Sequence, residues 1–208
     1  MHKSIEETLK FLPTDIKELE RRAAFSTAFQ GTWATPSFEV ETNNGLVKYY
    51  GWNDGGGQSY SLWFTEHNTA LITFFDHECM FNFYADEPED QGLQEAFYEG
   101  IPKEFKEFVY DKEETYENLN ISTSDGHEIY TASGVIWLED GQWHVNETYA
   151  KLSDEKKDDG GIKYCLGALT FLNTGNIEEY RSNLEKEWVD DEAVVGLDTL
   201  VKIYNDSK

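Results

Sequence analysis

Asp76, His77, Glu78 and Cys79 follow one another directly after the apolar run Thr69 to Phe75, so four reactive side chains stand where a buried strand ends. A rigid strand end can hold such groups against solvent. If the strand continues through Cys79, then Phe75, His77 and Cys79 share one face and Phe74, Asp76 and Glu78 the other. The Asp76/Glu78 pair then offers acid–base chemistry, one carboxylate raising the pKa of the other, or oxygen ligands for a divalent cation. His77 beside Cys79 has the make-up of a thiol nucleophile with its base. Side chains two apart on a strand lie about 6.5–7 Å apart, however, which is too far for a direct hydrogen bond unless the strand bends.

A metal centre would need ligands from elsewhere. His67, His127 and His144 are available, and a His77, Glu78 and His144 set suits zinc with an open position. No His-Glu-x-x-His spacing supports it. The plainer reading is a polar strand end, with Asp76 or Glu78 capping nearby backbone and His77 hydrogen-bonded. The loop Asn53-Asp54-Gly55-Gly56-Gly57-Gln58 could cradle phosphate only if a helix followed it, and the continuation Ser59 to Phe64 reads as a strand. Neither Asp86 to Gly92 nor Asp154 to Gly160 has the order of a calcium loop, and no Gly-x-Ser-x-Gly elbow occurs. No cofactor is expected.

The elements that must position these residues read as α+β. Pro13 is expected in the first turn of a helix with Ile16, Leu19, Ala23 and Phe25 at helical spacing. Strands are expected at 37–41, 47–52, 59–65 and 69–75, the last two joined as a hairpin by Glu66-His67-Asn68. A helix begins at Pro102, a weaker strand covers 129–132, and a second hairpin turns at Glu139-Asp140-Gly141. Residues 153–161 read as a polar loop and the apolar run 162–172 as a strand, although such a run also fits a buried helix. Asn176 caps a helix carrying Ile177, Tyr180, Leu184 and Trp188. A last helix from about Asp191 carries Val194, Leu197, Val201 and Tyr204. The expected architecture is a predominantly antiparallel sheet of about six strands, with N-terminal, mid-chain and C-terminal helices packed on it.

No Pro- or Ser-rich linker divides the 208 residues, which favours one α+β domain over 1–208. A weak internal duplication of a helix-plus-hairpin unit, 12–100 and 101–208, is suggested by the likeness of Leu12–Leu19 to Ile101–Phe108. Unequal spacing between each proline and its hairpin tryptophan, Trp63 or Trp137, speaks against it.

Charge constrains partners more than the motifs do. The net charge is −24, and residues 86–128 hold fourteen acidic residues against three lysines, a net of −11. Such a field repels nucleic acid and anionic membranes and steers a basic protein or a cation. Asp86, Glu87, Glu89, Asp90, Glu113 and Glu114 are the expected binding residues. Two cysteines make no disulfide framework, and no run of signal-peptide or membrane-spanning length is found, so a cytoplasmic location is expected. Two readings follow. One is an acidic soluble interaction protein, of the inhibitor or immunity type, that neutralises a basic partner such as a nuclease or toxin. The other is a metal-assisted hydrolase centred on Asp76, His77 and Glu78, with Asp54 and His144 nearby.

Overall fold

The computed structural model describes residues 5–30, 37–43, 45–79, 88–111, 120–123, 125–159, 161–187 and 191–207. Its strands are β1 (Phe38–Thr42), β2 (Gly45–Asn53), β3 (Gln58–Thr65), β4 (Ala70–Asp76), β5 (Asn120–Ser122), β6 (Glu128–Tyr130), β7 (Gly134–Glu139) and β8 (Gln142–Val145). Six of them form one antiparallel sheet in the order β1-β2-β3-β4-β7-β8, and β5 pairs with β6 in a small second sheet. The helices are α1 (Ile5–Leu9), α2 (Ile16–Gln30), α3 (Pro88–Phe97), α4 (Lys103–Val109), α5 (Glu147–Lys151), α6 (Asp154–Asp159), α7 (Ile162–Cys165), α8 (Gly167–Thr170), α9 (Ile177–Glu187) and α10 (Asp191–Asp206). This is the α+β fold expected, a six-stranded antiparallel sheet with helices at both ends and in the middle of the chain.

Register assigns the two faces of the sheet. Tyr49, Trp63, Leu71 and Trp137 stand in a row on one face, and Tyr50, Leu62, Ile72 and Ile136 on the other. α2 lies on the second face, where Glu20 accepts from Lys48 Nζ at 2.8 Å and from the Tyr50 hydroxyl at 3.1 Å. On the first face Tyr130 of β6 stacks against Trp63. With both faces covered, Ser59–Thr65 of β3 and Ala70–Phe75 of β4 are buried at every position. That is why these strands read as apolar runs without alternation.

Several boundaries differ from expectation. Pro13 lies ahead of α2, and Asp15 opens the helix by accepting from the Lys17 N–H at 2.8 Å. Pro102, by contrast, directly precedes α4, so the two proline-led segments start their helices differently. Residues 154–159 are helical, and the segment 162–172 carries two one-turn helices, α7 and α8, that end at Thr170, instead of a strand. Phe171, Leu172 and Asn173 then adopt left-handed backbone in succession, with φ of 49°, 52° and 62°. Asn176 caps α9 as expected, its Oδ1 3.0 Å from the Glu178 N–H. Trp188 and the side chains of Leu184 and Val194 lie outside the described residues.

The main core gathers the sheet with α1, α2 and the middle helices. A second, aromatic cluster joins α2 to the C-terminal helices through Phe25, Phe171, Ile177, Tyr180, Leu197, Val201 and Tyr204. Arg22 clips this corner together. Its guanidinium donates to the carbonyls of Phe11 at 2.9 Å and Leu169 at 2.8 Å, pairs with Glu18 at 3.0 Å, and lies 4.5 Å from the Phe171 ring centroid.

Candidate functional site

β4 stops at Asp76, and the next two residues turn back so that the Cys79 N–H reaches the Asp76 carbonyl at 3.1 Å. The continued strand, with its alternating faces through Cys79, is therefore not formed. Asp76 accepts from the Glu78 N–H at 3.0 Å and from Gln58 Nε2 at 3.1 Å, while its own N–H donates to Ser133 Oγ at 2.9 Å. Burial pushes the Asp76 carboxyl up; the bonds from Glu78 and Gln58 only partly offset this.

The His77 N–H donates to the Gly57 carbonyl at 3.1 Å, and the ring presses on the Gly57 α-carbon. A Cβ at Gly57 would lie 1.8 Å from His77 Nδ1, and Gly57 has φ +107°, so only glycine fits here. The other ring nitrogen lies 3.8 Å from the Glu78 carboxylate.

Asp54 shares Gln58 with Asp76. Its Oδ1 accepts from the N–H groups of Gly56 at 2.7 Å and Gln58 at 3.0 Å, folding the glycine-rich loop into a turn between β2 and β3. Gly161 closes the other side, where an added Cβ would meet Asp76 Oδ2 at 2.7 Å. Burial, with the neighbouring Asp54 carboxylate, raises the pKa of Tyr164, a residue 55% exposed and set edge-on to Trp52. Gly161 and Tyr164 were not anticipated, because a strand at 162–172 would have carried them elsewhere. Gly160-Gly161 ahead of the apolar run was the available signal.

Neither Cys79 nor Cys165 is in a disulfide and both are buried; Cys165 Sγ donates to the Phe75 carbonyl at 3.4 Å, and burial followed by the Asp76 charge pushes its pKa well up. Cys79 is buried, and the turn after Asp76 removes the shared strand face on which His77 and Cys79 were expected to lie.

His144 is placed far from His77 and Glu78. From β8 it pairs with Trp137 of β7 and stacks on that indole, and Trp137 pairs with Leu71, five residues before Asp76. Five residues span about 17 Å of strand. The zinc set of His77, Glu78 and His144 is therefore not assembled, and among the described residues no group of three or more His, Cys, Asp or Glu could hold a metal ion. His67 sits in the β3–β4 turn, at the opposite end of these strands. His127 bonds Asp111 through Nδ1 at 2.8 Å, which raises its pKa, with the Asp111 and Asp125 charges adding to the effect.

Of the expected acidic binding residues, Asp86, Glu87, Glu113 and Glu114 lie outside the described residues. Glu89 and Asp90 belong to the backbone of α3. A groove of about 480 Å³ does open beside β1, lined by Val40, Glu41, Thr42, Asn43, Glu107 and Phe108. No helix among the described residues is long and apolar enough to cross a membrane. Comparison with protein-family models, curated proteins and solved structures finds no match to this chain.

Proposed function

We propose that this chain is an acidic interaction protein that captures a basic protein partner, as an inhibitor or immunity-type protein would. What carries the reading is where its cations go. All three arginines of the chain are taken up by its own carboxylates: Arg21 and Arg22 by Glu18, and Arg181 by Asp198 at 2.6 Å and Glu178 at 3.6 Å. Lys48 is held by Glu20, and Lys157 is buried with its Nζ on the Ala150 carbonyl at 3.0 Å. The fork-shaped groups best suited to phosphate are thus already paired with carboxylates of the same chain, and the surplus of carboxylates makes up the outward field. Nucleic acid is disfavoured by the same argument. The metal-assisted reading gains nothing from the separation of His144 from His77 and Glu78.

Capture from an extract of the native cell at low salt, followed by association kinetics with the captured protein, tests the proposal. The expected partner is basic, and its association rate falls at least tenfold as salt rises from 50 to 500 mM, because screening shortens the reach of the field. A neutral or acidic partner, or a rate indifferent to salt, refutes it.

A further inference from the structure

β1 is the terminal strand of the sheet, and among the described residues no strand lies beyond it. An edge of this kind offers N–H and C=O groups to another chain. Phe38 and Val40 are 47% and 38% exposed, two of only five large apolar side chains so exposed among the described residues, and both stand on this one short strand. They are not loose: Phe38 stacks on Tyr49 with ring centroids 4.6 Å apart. Glu39 and Glu41 alternate with them on the opposite face.

The groove shared with α4 lies on the Val40 side, so an added strand would set alternate side chains against Val40 and Phe108. Glu107 Oε1, also lining this groove, is buried and has no hydrogen-bond partner. On the other face Lys48 is shared between Glu20 at 2.8 Å and Glu39 at 3.8 Å, one ammonium for two carboxylates, and Glu41 adds a further negative charge. The opposite edge strand, β8, reads Gln-Trp-His-Val and has no carboxylate at all.

We infer that the outer edge of β1 accepts an extended, lysine- or arginine-bearing segment of the basic partner as a seventh strand, the groove at Glu107 and Phe108 receiving its side chains. The inference rests on the basic-partner reading above. Charge selects the occupant. A second copy of this chain would bring Glu39 and Glu41 against their own kind, and like charges opposite each other disfavour pairing. The same glutamates that keep the edge from pairing with itself attract a cationic strand. Main-chain bonds supply affinity and alternate side chains the selectivity, as in other strand additions.

An alternating lysine–valine octapeptide is the probe, titrated into the full chain at 50 mM salt with amide resonances of residues 38–42 as one readout. Two changes that leave charge untouched should each weaken binding at least tenfold: N-methylation of the peptide along one backbone edge, and the double substitution Phe38→Ser/Val40→Ser. Ile203→Ser, at an exposed site on α10, should leave affinity unchanged. Equal binding of methylated and unmethylated peptide, or an undiminished F38S/V40S variant, overturns the inference. The methylated peptide needs no altered protein, so misfolding cannot decide that comparison. Failure of the octapeptide while a folded basic protein still binds sinks the edge alone. Failure of both sinks the basic-partner reading and the edge with it.

Discussion

Arg22 is a buried cation with each of its guanidinium nitrogens engaged, and residues of this kind decide stability more than exposed ion pairs do. Truncation leaves the Phe11 and Leu169 carbonyls without this donor and takes one of three donor residues from the Glu18 carboxylate. Arg22→Met is expected to lower the unfolding free energy by about 3–5 kcal/mol in urea titrations. Lysine, a point charge without the planar fork, should recover less than half of this.

Glu18 and Asp76 respond to acid in opposite senses. Burial alone would raise Glu18, but bonds from Tyr204, Arg21 and Arg22 hold it below its ordinary 4.5. Its contribution is present above that value and is lost as pH falls through the lowered folded pKa. Asp76 is raised above 3.8 by burial, so ionising it costs stability at neutral pH, and the cost fades as pH falls through the raised value. Glu18→Gln should therefore flatten the acid limb of the stability curve. Asp76→Asn, which keeps an acceptor for Glu78 and Gln58, should be neutral or mildly stabilising at pH 7 in the same titrations. Gly57→Ala should cost at least about 2 kcal/mol from backbone strain and overpacking. His77→Ala in the same chain should return part of that loss, because the two positions share one contact.

At the scale of elements, the hairpins were legible because their turns announce themselves. Asp140 and Gly141 both take positive φ, 51° and 72°, the geometry that an Asp-Gly pair favours between antiparallel strands. The Asn176 cap was equally plain, and Asn176→Ala should cost about 1 kcal/mol. The segment 162–172 was not legible. A continuous apolar run has no period to read, and both a central strand and a buried helix give one. Nothing in Phe171-Leu172 signals left-handed backbone, which disfavours any residue with a Cβ by about 1–2 kcal/mol.

Packing overrides the preference. The Phe171 ring meets Phe25 edge-on at 5.9 Å and Tyr204 at 5.5 Å, under the Arg22 guanidinium. Leu172 is 39% exposed and has less packing to set against its strain. Leu172→Asn should raise the melting temperature, by an amount worth about 0.5–1 kcal/mol. The same failure hid part of the site. Asp76 could be placed at a strand end from its neighbours in sequence, whereas Tyr164 reaches Trp52 and Asp54 only because the chain turns helical after Gly161.

Taken as a whole, the molecule has more charge than its fold needs. A net of −24 repels itself in the compact state, so added salt should stabilise the free protein even as it weakens capture of a basic partner. The melting temperature should rise between 20 and 500 mM sodium chloride, by roughly 2–4 °C for each kcal/mol of repulsion removed. The two hydrophobic clusters carry a further consequence. α9 and α10 rest on the smaller, aromatic one, joined to the sheet through α2 and Arg22, and contribute little to the main core. Such an arrangement lets one part of a protein open while the rest stays closed. Deuterium should therefore enter the backbone of residues 177–187 and 191–206 as a cooperative block, sooner than it enters β3 and β4, with that lead widening when Arg22 is removed.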